Sequence, residues 1–322
     1  MGTGRVLVTG GTGFVGRRVV ESLRGRGWQL TLAARRPGRP DPGEAGLRRV
    51  VVGEIGPDTE WDAALEGVQA VVHLAAHVHV APERAESEAA RFEEVNRLGS
   101  GRLFEAAVRS GVRCFVFMSS ITVLGGESPA GAPFDDASPL RPETPYARSK
   151  AAAERDLRGA AMAAGPQGPI LTVLRPPLVC GPGVGGNLGR LARWAAWPVP
   201  LPLGGIANRR TLVSLDNVAA AVARAVEAPV AGTFVLGDRT PLSTSAIVRH
   251  LREGAGRSPA LVPVPVGLVR RLATLLGRQG AARRLFGDLE VDSAGFRHAF
   301  GDTDVVDTPA ALRATGAAAA AR

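Results

Sequence analysis

The chain holds one tyrosine and one lysine, and they stand four residues apart, Tyr146 and Lys150, in the string Pro145-Tyr146-Ala147-Arg148-Ser149-Lys150. All its other basic side chains apart from histidine are arginine. On a helix, residues i and i+4 are neighbours on one face. A phenol titrates near 10 and shuttles protons poorly at neutral pH, but a neighbouring ammonium favours the phenolate and draws its pKa toward the working range. The pair therefore reads as an acid/base device. Taken alone, Tyr-x-x-x-Lys more often marks a buried aromatic beside a solvated lysine, so the weight falls on what accompanies it.

At the N-terminus an apolar run, Arg5-Val6-Leu7-Val8-Thr9, leads into Gly10-Gly11-Thr12-Gly13-Phe14-Val15-Gly16 and then an amphipathic stretch. Strand, glycine turn and helix are the parts of a dinucleotide site. Gly10 permits the tight turn, Gly13 lets the backbone approach a pyrophosphate, and Gly16 lets the helix pack closely on the sheet. The unpaired N–H groups of Thr12, Phe14 and Val15 then face the phosphates. In such a site an acidic residue about 20 positions further on binds the adenine ribose, whereas arginine accommodates a 2′-phosphate. Here that place reads Ala33-Ala34-Arg35-Arg36. Arg35 and Arg36 favour NADP(H), with NAD(H) as the alternative, because a guanidinium fork matches phosphate. Two exposed arginines in a turn would look the same.

These residues need a frame. Strand-like runs at 5–9, 29–34, 49–52, 70–74, 113–119 and 170–174 alternate with helical stretches, which predicts a doubly wound parallel α/β sheet. A long helical stretch is expected over 83–110. A Gly/Pro-rich segment over 125–143 is long enough to be a lid or substrate loop. Thr144 before Pro145 is a helix-start signal, which puts Tyr146 and Lys150 in the first turns of a helix. Beyond Pro176 the elements shorten. The expected division is a dinucleotide-binding domain of residues 1–176 with 208–240, a substrate lobe of 177–207 with 241–308, and a frayed or disordered tail over 309–322.

Composition bounds the rest. The chain has 322 residues, 45% hydrophobic and 21% charged, ordinary for a globular enzyme with a large core. It lacks both the roughly 20-residue apolar run of a membrane span and a signal-peptide layout, so a cytoplasmic enzyme is expected. Of its two cysteines, Cys114 reads as core and Cys180 as packing. A net charge of +9 invites a nucleic-acid reading, but the arginines are scattered and only 5% of residues are aromatic, without a stacking stripe. The basic amphipathic stretch 268–276 is expected to pack on the small lobe, with contact to a membrane surface as the alternative.

Taken together, Thr9-Gly10-Gly11-Thr12-Gly13-Phe14-Val15-Gly16, His73-Leu74-Ala75-Ala76, Ser119-Ser120, Tyr146-x-x-x-Lys150 and Arg175-Pro176-Pro177 resemble the extended short-chain dehydrogenases/reductases, specifically the NAD-dependent epimerase/dehydratase group that acts on nucleotide sugars. The segments around His77-Val78-His79, Cys180-Gly181-Pro182-Gly183, Asn187 and Arg209-Arg210 are similar to a bacterial branch that reduces or epimerises UDP-linked sugars, with or without an acetamido group, at C4 for surface polysaccharide synthesis. The resemblance implies that Tyr146 exchanges the proton on the C4 oxygen. It gives Lys150 the nicotinamide ribose, and Ser120, with Thr122 assisting, the substrate oxygen. It implies that Leu74, Ala75, Ala76, Asn96, Ser119 and Pro176 line the cofactor, and that Glu54 and Ile55, where the family carries Asp-Leu, adjoin the adenine. Asn187, Arg210 and Arg284 match positions that contact the UDP diphosphate.

Family dehydratases carry Asp-Glu where this chain has Ile121 and Thr122, so dehydration is disfavoured. A 4-keto-sugar reductase using NADPH is the leading expectation. The alternatives are a UDP-hexose 4-epimerase with retained NAD and a catalytically silent NADPH-binding scaffold. His73, His77 and His79 cluster near Glu83, but hydride transfer needs no metal and none is expected. His250 and His298 are isolated and expected to be solvated. Pairing of long helices into a homodimer fits the pattern.

Overall fold

Val6, Leu7 and Val8 are fully buried, the condition of a strand covered on both faces, and the sheet grows outward from them. The computed structural model describes residues 4–37, 46–78, 85–263 and 285–321, together with Pro265, Gly267, Arg271 and Leu275. β1 (Arg5–Thr9), α1 (Phe14–Gly25), β2 (Gln29–Ala34), β3 (Leu47–Val51), α2 (Asp62–Leu65) and β4 (Val68–His73) form the first half. A helical run follows, α3 (Ala89–Phe92), a π turn (Glu93–Leu98) and α4 (Gly99–Arg109), before β5 (Cys114–Met118). A 3-10 turn (Ile121–Val123), α5 (Pro145–Ala164) and β6 (Ile170–Arg175) complete the second half.

Next come β7 (Leu178–Cys180), α6 (Gly186–Ala195), β8 (Leu201–Gly204), β9 (Leu212–Ser214), α7 (Leu215–Glu227), β10 (Gly232–Val235), α8 (Thr244–Gly254), β11 (Leu261–Pro263), α9 (Ala294–Phe300) and α10 (Thr308–Ala320). The seven-stranded sheet runs β10-β6-β5-β4-β1-β2-β3 and every pairing in it is parallel. This is a doubly wound Rossmann arrangement whose strand order reverses between β1 and β4. One face is packed by α1 and α7 through Val19, Leu23, Val218 and Val222. The other is packed by α4 and α5 through Leu103, Phe104 and Leu157.

The expected strands are present with ends moved by a residue or two, where hydrogen bonding rather than apolar pattern sets the boundary. Within the long helical stretch, the π turn brings Asn96 fully inside. The segment 125–143 is strapped across the molecule. Phe134 N donates to Glu290 O at 2.8 Å, Asp292 N donates to Phe134 O at 2.8 Å, and Asp136 accepts from Val235 N at 2.6 Å.

The expectation of a frayed tail is corrected. α10 is capped by Asp307, whose Oδ1 accepts from Ala310 N at 2.6 Å. It buries Ala311, Leu312 and Thr315 against a second core that includes Leu188, Ala192, Val248 and Leu251. Two glycines set its distance from α8: a Cβ on Gly316 would lie 2.0 Å from Leu251 O, and one on Gly254 would lie 1.8 Å from Arg313 O. Ala and Gly here are the condition for close helix packing. Most of 268–276, with Arg284, His79 and Glu83, lies outside the described residues. Among the described residues no helix is long and apolar enough to cross a membrane.

Candidate active site

The crevice at the carboxyl ends of β1 and β4 is where a doubly wound sheet binds its ligand, and the glycine turn is built to its edge. Gly10 has φ of 71°, and a Cβ there would lie 2.7 Å from Ala75 N. Leu74 N donates to Thr9 O and Ala75 N to Thr9 Oγ1, both at 3.2 Å, so Leu74, Ala75 and Ala76 lie across the turn. A Cβ on Gly16 would lie 2.0 Å from Gly10 O, which explains how α1 seats on the turn. Gly13 caps α1 without a side-chain acceptor, and its missing Cβ would meet only Gly10 O, at 3.2 Å. The first N–H groups of α1 have no capping side chain and no carboxylate in the first turn. An open backbone cradle with free donors and no competing anion fits a dinucleotide pyrophosphate.

A chain of hydrogen bonds joins this turn to the tyrosine. Thr9 Oγ1 meets His73 Nδ1 at 2.6 Å and His73 Nε2 meets Ser100 Oγ at 2.9 Å. Ser100 donates its proton to Asn96 O at 2.7 Å, so it accepts from Nε2–H, and Nδ1 accepts from Thr9. His73 is thereby neutral and of one tautomer, and burial, helped by the charge of Lys150, brings its pKa down to about 3. Asn96 donates to Ser149 Oγ at 3.1 Å, and Ser149 donates to Tyr146 O at 2.8 Å. The remaining amide contacts of Asn96 hold His77, accepting from its N at 2.7 Å and donating to its O at 3.1 Å. Asn96 thus enters the site through the backbone it fastens.

Thr144 caps α5 by accepting from Ala147 N at 3.2 Å, and Pro145 occupies the first turn, as the sequence pattern predicts. Tyr146 is partly buried, edge-on to Phe92 with ring centroids 6.1 Å apart. Lys150 is 1% exposed, its Nζ 4.0 Å from the centre of the Phe117 ring. Ser120 reaches the phenol with its hydroxyl and touches Thr122 Oγ1 at 2.9 Å. The expected lowering of the phenol pKa by Lys150 is not what this environment produces. Burial pushes Tyr146 up to about 12, with the Ser120 hydrogen bond working against it, because desolvation penalises the anion more than one hydrogen bond favours it. Burial likewise brings Lys150 down to about 7, with Glu154 acting to raise it.

Ser119 is turned away from the crevice, donating to Glu154 at 2.5 Å. Pro176 O accepts from Ile121 N at 2.9 Å and ties the end of β6 to the 3-10 turn.

Just past the end of β2 Arg35 and Arg36 are exposed. The sequence pattern shows no carboxylate at this strand end, yet the fold supplies one. The pairing of Ala34 with Val51 swings Glu54 alongside, 3.6 Å from Arg35 and 2.8 Å from Arg91, a cation the sequence pattern did not single out. Ile55 lies inward, against Gly99. On the opposite side, Asn187 accepts a short hydrogen bond from Arg190. Arg210 is held by backbone bridges to Leu242 and Leu289 and donates to Gly287 O at 2.9 Å; burial lowers its pKa. His77 pairs with Glu88 at 3.2 Å, and His250 with Glu253 at 3.0 Å. Among the described residues no three potential ligands gather around a metal position. Cys114 and Cys180 are buried, and burial pushes both thiols up to about 12.

A Rossmann crevice flanked by Tyr146, Lys150 and Ser120 defines an NAD(P)-dependent enzyme of the extended short-chain dehydrogenase/reductase type. The profile of the NAD dependent epimerase/dehydratase family matches residues 6–237, and the chain belongs to that family. It is 32% identical over 300 residues to a UDP-glucose 4-epimerase of Vibrio cholerae, covering 92% of this chain and 89% of that protein. The solved UDP-glucose 4-epimerase of Thermus thermophilus in complex with NAD superposes with a TM-score of 0.75 at 26% identity, over 98% of each chain. RMD from Pseudomonas aeruginosa complexed with NADPH shares the fold, with a TM-score of 0.74 and 23% identity over 99% of this chain and 100% of that one.

Proposed function

We propose that this chain is an NADPH-dependent reductase of a UDP-linked 4-keto sugar, an acetamido-deoxy sugar serving polysaccharide precursor synthesis. The sugar would sit between the sheet and the described parts of 177–207 and 241–308, with Asn187 and Arg210 toward the diphosphate; the same contact for Arg284 rests on the resemblance alone. The observation that carries the reading is the meeting of Ser120 and Tyr146 one helical turn from the buried Lys150. When bound, the nicotinamide supplies the hydride. Ser120 holds the carbonyl oxygen in line, and Tyr146 passes its phenolic proton to that oxygen as negative charge develops. A phenol pushed up to about 12 carries that proton at neutral pH, the state in which a reduction begins. Lys150, one helical turn further along α5, would bind the nicotinamide ribose. Arg35, Arg36 and Arg91 offer guanidinium groups to a 2′-phosphate, and Ile121 and Thr122 offer no acid/base pair for eliminating water.

A second reading, a UDP-sugar 4-epimerase retaining NAD, is favoured by the carboxylate of Glu54 at the adenine ribose end and by the likeness to the Vibrio cholerae protein. Consumption of NADPH against a panel of UDP-4-keto sugars tests the choice. The reductase oxidises NADPH stoichiometrically, whereas purified protein that carries NAD and consumes none would favour the epimerase. Tyr146→Phe should cut turnover by about 10²–10⁴-fold while leaving NADPH affinity within a few-fold. Unchanged turnover would remove Tyr146 from the reaction and leave a binding role.

A further inference from the structure

The face of α5 that carries Tyr146 and Lys150 continues with a third polar side chain. Glu154 follows Lys150 by one turn and is fully buried. Its carboxylate accepts Ser119 Oγ at 2.5 Å, Arg175 Nε and Nη2 at 3.0 and 2.6 Å, and Arg158 Nη2 at 2.7 Å. The first two partners are strand-end residues that adjoin the site: Ser119 precedes Ser120 after β5, and Arg175 ends β6 before Pro176.

The charges around Lys150 explain why this carboxylate matters. Tyr146 on its own helix and His73 from β4 are neutral at pH 7, and the Phe117 ring from β5 covers Nζ. Arg175 from β6 adds a buried cation, and Arg158 a half-exposed one. Asp136 from the strapped segment acts on Arg175 rather than on Lys150. Glu154 is the anion that acts on the ammonium. Losing one member of a buried ion cluster leaves uncompensated charge in the interior.

We propose that Glu154 is a positioning residue of the reactive helix, fixing α5 to the ends of β5 and β6 so that Ser120 meets Tyr146, and keeping the Lys150 ammonium charged. This rests on reading Tyr146 and Lys150 as the acid/base pair. Burial brings Lys150 down to about 7, so its charge at neutral pH depends on the opposing pull of Glu154.

The sequence offers a direct measurement, because Lys150 is the only lysine. Protein labelled with ¹³C at lysine Cε gives one side-chain resonance whose titration reports Nζ without substrate or cofactor. The wild-type midpoint is expected near 7. Glu154→Gln, close in shape but uncharged, should lower it by about one pH unit or more, and Glu154→Asp should restore most of the difference. Turnover of Glu154→Gln at neutral pH should fall about fivefold for a shift of one unit, in proportion to the lost ammonium, and recover as the pH is lowered. If that variant does not fold, Arg158→Gln removes a cation from the same carboxylate and should move the midpoint upward. A Lys150 titration unmoved by these substitutions, with only the unfolding midpoint changed, would overturn the proposal and leave a structural ion cluster. An expected titration in a protein without turnover would instead count against the functional reading.

Discussion

Two glycines of α1 should respond in opposite ways to the same methyl group. A Cβ on Gly16 would lie 2.0 Å from Gly10 O and 2.8 Å from Gly11 Cα. A carbon and a carbonyl oxygen rest at about 3.3 Å or more, so the helix must retreat by roughly 1.3 Å. Gly10 cannot yield in its place, since it is fixed at φ 71° beneath Ala75 N. Overpacking of this kind costs about 1–3 kcal/mol. The retreat also carries the first N–H groups of α1 away from the pyrophosphate, and one lost hydrogen bond to a charged group is worth about 1.5–3 kcal/mol, or at least tenfold in affinity. Gly25 has nothing within 4 Å of its missing Cβ and is exposed. Gly25→Ala should therefore stabilise by about 0.4–1 kcal/mol through the unfolded chain and leave binding alone. Urea unfolding and a fluorescence titration with NADPH read both quantities. If Gly16→Ala matches Gly25→Ala in stability and affinity, the reading of the turn as a close-packed phosphate cradle is wrong.

Three further outcomes are expected. Glu54→Gln removes the carboxylate beside Arg35 and Arg91, the latter still paired with Glu94 at 2.8 Å, and should raise the NADPH-to-NADH affinity ratio by up to about fivefold, the worth of an exposed ion pair. Arg91→Ala should lower that ratio, and a ratio indifferent to both changes would exclude the trio from cofactor choice. His73 takes its proton near 6.5 in the unfolded chain but only at about 3 in the folded one. Its contribution is whole above pH 6.5 and declines by up to about 1.4 kcal/mol per pH unit on acidification between the two values. Unfolding measured across that window should be less steeply acid-sensitive in His73→Phe, and identical slopes would exclude His73 as the cause. Leu312→Ala, at a fully buried position of α10, should cost about 2–5 kcal/mol. A frayed tail would instead leave the unfolding midpoint where it was.

Much of this architecture is legible in the sequence because the physics that encodes it is local. Runs such as Val6-Leu7-Val8 and Cys114-Phe115-Val116-Phe117 mark buried parallel strands. The glycine spacing and the Thr144-Pro145 start signal place the turn and the reactive helix. What is not legible depends on pairing in space. Glu54 reaches Arg35 only through the register of β2 with β3. Ser119 and Ser120 are chemically alike, and the strand end alone decides that one faces Glu154 and the other Tyr146. The phenol pKa departs from the expected direction because adjacency of Lys150 is visible in the sequence while the depth of burial is not. The Ala-rich end resembles a solvated tail until α8 supplies the surface that its small residues fit.

The polar chain from Thr9 through His73, Ser100, Asn96 and Ser149 to Tyr146 behaves as a truss, each joint with a single sense. None of its members comes from 177–207 or 241–308. Replacing those two segments with the corresponding ones of a relative would therefore leave this corner square. Whatever packs against those segments can change along a lineage while the frame around Tyr146 is inherited whole.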